Sequence, residues 1–162
     1  MKNQSGFATL EIILVTVIIS LLAFVGVPKL TKIFDVVMLD YEVKSFCNEL
    51  EFARTTSRTA FYTYNEIFDG KIPSNFSGKS LFVDIFYEKN FYKTRQDLTD
   101  IREPHRLSGG ITLQGYSNSP AAVEFTGESS ESGTVYFSSR LGNSAEVRLN
   151  TVGRWRGYRD VK

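Results

Sequence analysis

From Phe7 to Pro28 the chain reads FATLEIILVTVIISLLAFVGVP, with Glu11 as its single ionisable side chain. As a helix at 1.5 Å per residue this run is about 33 Å long, enough to cross a hydrocarbon core of about 30 Å. A carboxylate at mid-bilayer costs about 2.5–3.5 kcal/mol on insertion scales. A segment serving only as an anchor gains nothing from it. A positive charge on another subunit would give Glu11 a reason to be there. The plainer alternative is an anchor whose Glu11, near the end of the run, snorkels to the interface.

The flanks decide what kind of membrane segment this is. A secretory signal carries its small-residue cleavage site after the apolar run. Here no such site follows; the run passes through Val25-Gly26-Val27-Pro28 into Lys29. The natural break precedes it, between Gly6 and Phe7. Lys2 lies before the run and Lys29 and Lys32 after it, so the positive-inside count leaves orientation open. The size of the domain that follows, and its lack of further spans, favour export of that domain. The reading is a leader over 1–6, a membrane or core helix over 7–30, and a globular domain over 31–162. The 162 residues carry a net charge of +1 and one cysteine, Cys47, so no intrachain disulfide is available.

Beyond Pro28 apolar residues recur at threes and fours: Leu30, Phe34, Val37, Tyr41, then Cys47, Leu50 and Ala53-Arg54. Asp35, Asp40, Glu42, Lys44, Glu49 and Glu51 are expected on the opposite side. One helix is predicted from about 7 to about 58, bent or locally melted at Pro28, with Gly26 easing the change. From Ala60 the period changes. FYTYNEIF (61–68) alternates and ends at the Asp69-Gly70 turn signal. Residues 72–78 read as a loop, 81–93 as one or two strands, and 94–110 as a polar connection. Strands are predicted at 111–116, 122–127, 134–139 and 145–150, with turns such as Glu128–Gly133 and Gly142-Asn143 between them. A helix followed by strands predicts an α+β fold, with a mainly antiparallel sheet against the long helix.

The stretch Ser5-Gly6-Phe7-Ala8-Thr9-Leu10-Glu11-Ile12-Ile13-Leu14 resembles the type III signal of type IV pilins and type II secretion pseudopilins. Only Ala8-Thr9 departs from the commoner Thr-Leu order. The resemblance implies cleavage after Gly6 by a prepilin peptidase and methylation of the new amine on Phe7. It makes Glu11 the hallmark acid at the fifth mature position and places Pro28 where the family often carries a helix-perturbing proline. It implies a subunit held in the bacterial inner membrane before assembly, then part of a periplasmic or extracellular filament. Its partners would be other pilin or pseudopilin subunits, the peptidase and inner-membrane lipid. The machine itself, whether type IV pilus, type II secretion pseudopilus or competence apparatus, stays open. Within the family, Leu50-Glu51-Phe52-Ala53-Arg54, Phe125, Gly133 and Gly153-Arg154 resemble GspH/FimT-type minor pseudopilins.

No catalytic set is legible, so neither an enzyme nor a small-molecule substrate is expected, and no cofactor or metal. His105 is the single histidine and reads as a solvated loop residue. Cys47 reads as a structural cysteine on the helix. Asp97, Asp100 and Glu103 lack calcium-loop spacing, and Gly109-Gly110 lacks the Lys-Ser/Thr of a phosphate loop.

The tail is different. From Arg140 onward there are six basic residues against two acidic ones. Gly153-Arg154-Trp155-Arg156 resembles the DNA-binding tail of FimT-type pilins of natural transformation. On a strand, Arg154 and Arg156 would share a side and Trp155 would take the other. Arg148, Arg159 and Lys162 would widen the patch, and Tyr158 could stack on a base. The competing reading is an edge strand that carries positive charge against aggregation.

Overall fold

The computed structural model describes residues 5–67, 80–96, 98–126, 129–130, 132–150 and 154–160. The chain divides into two compact units, Met1–Phe34 and Asp35–Lys162. A helix, α1, runs over Ser5–Ile67.

In the first unit α1 presents apolar side chains on every side, from Leu10 to Phe34, all exposed. This is the pattern of a helix meant for lipid or for other helices. It is the one helix among the described residues long and apolar enough to cross a membrane. Its hydroxyls bond back onto their own helix: Thr16 Oγ1 donates to the Ile12 carbonyl at 2.8 Å and Ser20 Oγ to the Thr16 carbonyl at 2.7 Å. These two hydroxyls therefore need no water. Pro28 lies inside the helix without interrupting it, so the local melting expected at that residue does not occur. Only one backbone N–H is lost there, and the flanking turns hold.

In the second unit α1 buries Asp35, Leu39, Glu42, Phe46, Leu50, Ala53 and Ser57, a stripe at threes and fours. This corrects the sequence reading of the faces. Leu30, Phe34, Val37 and Tyr41 are exposed, Phe34 at 61%, whereas two of the acids expected in solvent, Asp35 and Glu42, are inside. The helix also continues to Ile67 rather than ending near 58, so most of 61–68 is helix and not strand. No glycine or proline interrupts the chain between Arg58 and Ile67, and Phe61, Tyr64 and Ile67 recur at threes as readily as the run alternates. The Asp69-Gly70 turn and the loop over 72–78 lie outside the described residues.

The strands are β1 (Leu81–Phe86), β2 (Phe91–Gln96), β3 (Thr99–Asp100), β4 (His105–Arg106), β5 (Thr112–Gln114), β6 (Ala122–Thr126), β7 (Ser129–Ser130), β8 (Gly133–Ser138), β9 (Ser144–Leu149) and β10 (Trp155–Asp160). They form two sheets rather than the one expected. One runs β3-β2-β1-β6-β7 with β4 also on β2; the other runs β10-β9-β8-β5. All pairings among the described residues are antiparallel. The chain leaves the second sheet after β5 and enters the first at β6 through residues 115–121, where Pro120 cannot continue a ladder. The connection read over 94–110 holds the end of β2 and two short strands, and β7 lies within the stretch read as a turn.

The fold is α+β. Leu39, Phe46, Leu50 and Ala53 of α1 meet Val83, Tyr92 and Phe125 of the first sheet and Val135, Phe137 and Val147 of the second in one core. Phe46 joins the three parts, edge-on to Tyr92 at 5.1 Å and to Phe137 at 5.5 Å between ring centroids. Tight connections are set by residues suited to left-handed backbone: Asn90 (φ 52°) between β1 and β2, and Gly142 (φ 84°) between β8 and β9.

Candidate functional site

Two places carry the residues singled out by sequence, one in each unit. In the first, Gly6 and Phe7 lie in the opening turns of α1 and Glu11 follows one turn later. Glu11 is exposed among exposed Leu10, Ile12, Ile13 and Leu14, with no salt bridge among the described residues. A carboxylate on such a surface is costly in hydrocarbon unless another molecule supplies the counter-charge.

The second place is the end of the β9–β10 hairpin. Asn150 shapes it: its side-chain oxygen accepts from the Arg154 N–H at 2.9 Å, and its N–H donates to the Arg154 carbonyl at 3.0 Å. In register, Arg156 lies directly opposite Arg148, and Trp155 opposite Leu149. Arg154 and Arg156 are exposed while Trp155 is half-buried against the core, as the alternation predicts. Arg54 reaches the same place from α1, its guanidinium carbon 6.0 Å from the Trp155 ring centre. Its Nε is buried without a hydrogen-bond partner. Arg54, Arg148, Arg154 and Arg156 line one open recess of about 420 Å³ with Trp155 and Asn150.

Like charges opposite one another across strands are destabilising. Glu146 offsets part of this by pairing with Arg148 at 2.6 Å. The recess remains strongly basic, and planar guanidinium donors suit phosphate or carboxylate. Arg159 sits opposite Ala145, three residues beyond Arg156 along β10. Lys162 and Gly153 lie outside the described residues. Arg54 stood in the sequence inside the Ala-Arg signature, but its place beside Trp155 depends on a contact between residues a hundred positions apart.

Sequence reasoning also missed a ladder of acids seven residues apart on α1. Asp35 accepts from Ser139 Oγ and, at 2.8 Å, from Asn143 Nδ2, holding the β8–β9 turn. Glu42, 1% exposed, accepts from the Ser108 N–H at 3.0 Å and hydroxyl at 2.7 Å and pairs with His105 Nε2 at 2.8 Å. Glu49 accepts from Thr94 Oγ1 at 2.5 Å and Arg102 at 2.8 Å. His105 is thus not a solvated loop residue; it also stacks on Tyr92 at 4.9 Å. The seven-residue spacing was the available signal, since it keeps all three acids on one helical face. This ladder fastens the globular domain to its helix.

Gly133, one of the signature residues, has a packing reason. A Cβ there would stand 2.7 Å from Pro120 Cδ. Cys47 is half-buried and burial pushes its thiol up to about 11, which keeps it un-ionised at neutral pH. Among the described residues no group of three or more His, Cys, Asp or Glu side chains is placed to hold a metal.

No family model matches the chain, and no curated protein matches it. Among solved structures it is similar to the minor pseudopilin EpsH from the Type 2 Secretion System of Vibrio cholerae. The match has 14% identity and a TM-score of 0.40, over 66% of this chain and 97% of that one. No shared function follows from a likeness of that degree.

Proposed function

We propose that the chain is a minor pilin or pseudopilin, a structural subunit of a type IV pilus or a type II secretion pseudopilus. A prepilin peptidase cuts between Gly6 and Phe7, and Phe7 is then N-methylated. The observation that carries this is Glu11, exposed on an otherwise apolar helical surface with no pairing charge among the described residues. In a filament the Phe7 amine of a neighbouring subunit neutralises Glu11 in low dielectric, where an ion pair is far stronger than in water. A buried pair of this kind sets axial register. Residues 12–28 lie in the inner membrane first and among neighbouring helices afterwards. The test is Glu11→Ala in the native host, with the subunit followed in sheared filaments and in the membrane. The variant is expected to accumulate in the membrane and be lost from filaments; unchanged incorporation contradicts the reading.

A second reading is favoured by the four arginines of one recess: binding of DNA phosphates for uptake in natural transformation. Such binding is sequence-independent and salt-sensitive. Arg154→Ala with Arg156→Ala is expected to abolish retardation of DNA by the full-length protein in detergent. No retardation by the unaltered protein at low salt removes this reading and leaves the structural one intact.

A further inference from the structure

The basic recess does not stand alone. The second sheet buries Leu113, Val135, Phe137, Val147 and Leu149, so the alternate residues form its outward face. There Arg156 and Arg148 lie side by side in one cross-strand row, while Thr134, opposite Arg148, is buried. The next row holds Glu146, Tyr136 and Gln114. Tyr116, more than half exposed, meets Tyr136 edge-to-face at 4.7 Å. Its hydroxyl donates to Gln114 Oε1 at 2.8 Å, and Asn118 Nδ2 donates to the Tyr136 hydroxyl at 3.3 Å. Gln114, Tyr116, Tyr136, Phe137 and Ser144 line a second open recess of about 330 Å³. Ser144 and Arg148 are four residues apart on β9, about 13 Å along the strand. Guanidinium groups and tethered aromatic rings with amide neighbours therefore occupy one sheet face.

We propose that this face is a platform for single-stranded nucleic acid. A base sits against Tyr116 and Tyr136, with the Gln114 and Asn118 amides near its edge, and the adjoining phosphates meet Arg148 and Arg156. The proposal rests on the DNA-binding reading above and narrows it. A duplex offers its phosphates to the arginines but keeps its base faces stacked inside, so the tyrosines add nothing to duplex binding. An unpaired strand offers both. Glu146, in the row of Tyr136, pairs with Arg148 of the adjoining row, so phosphate must compete with its carboxylate.

The test uses the full-length protein in detergent, an oligothymidylate, and a duplex of mixed sequence, titrated by fluorescence anisotropy at low salt. The single strand is expected to bind more tightly. Tyr116→Ala and Tyr136→Ala each weaken single-strand binding about tenfold and leave duplex binding unchanged. Tyr136→Phe keeps the aromatic face and retains affinity, which separates stacking from any fold defect in Tyr136→Ala. Glu146→Gln tightens binding of both forms. Equal affinity for strand and duplex, or single-strand affinity unmoved by both alanine variants, overturns the platform while the DNA-binding reading stands. Failure of both nucleic acids to bind overturns both.

Discussion

Single buried groups govern how the globular domain holds to its helix. Glu42 satisfies the Ser108 N–H, the Ser108 hydroxyl and His105 together. Glu42→Ala strands these donors in a place water reaches poorly and is expected to cost about 3 kcal/mol. Against a whole-domain stability of about 5–15 kcal/mol, this is a large share, measurable as a lowered midpoint in urea. Tyr87, whose hydroxyl donates to the Pro120 carbonyl at 2.7 Å, has its phenol pushed up to about 12 by burial, against a lowering by a Ser119 hydrogen bond. Burial also raises Tyr92, against a lowering by its Ser45 hydrogen bond. Because the folded values lie above the unfolded one of about 10, their contribution is whole below pH 10 and is lost as pH rises through the folded values. Alkaline titration should show these two phenols ionising together with loss of structure. Early ionisation in the folded protein would contradict their burial. Cys47 should react slowly with a thiol reagent at neutral pH until the domain unfolds.

At the scale of elements, the long helix was legible and its inner face was not. Hydrophobic period gave a helix through Leu50, and α+β order followed from the strands behind it. The exposed row Leu30, Phe34, Val37 and Tyr41 misled the choice of face because it continues the apolar surface of the first unit. Asp35 and Glu42 looked like surface acids because their partners, Asn143 and Ser108, lie more than sixty residues away. The division into two sheets was hidden for the same reason, since strand pairing is settled by distant residues. The faces can be tested directly. Phe46→Ala should cost about 3–5 kcal/mol by leaving a core cavity, whereas Phe34→Ser and Tyr41→Ser should each change stability by under about 0.5 kcal/mol. A large loss in the serine variants would mean that the outer row packs within its own chain.

Over the whole molecule, the apolar head of the helix and the basic hairpin place separate demands on the chain. Glu11 was conspicuous in the sequence because one charge in a long apolar run needs no tertiary knowledge to be noticed. The Arg154–Arg156 doublet was equally plain, but Arg148 comes opposite Arg156 only through the β9–β10 register, and Arg54 joins them from α1. If DNA binds there, removing Arg154 or Arg156 should flatten the salt dependence by roughly one unit of slope per arginine, and Glu11 substitutions should leave it unchanged. The central claim is that a newly exposed amine on Phe7 answers the carboxylate of Glu11. Mass spectrometry of the amino terminus of protein purified from its native host tests it most directly. The account predicts a chain beginning at N-methylated Phe7; a population that still begins at Met1, with no trimmed form, contradicts it.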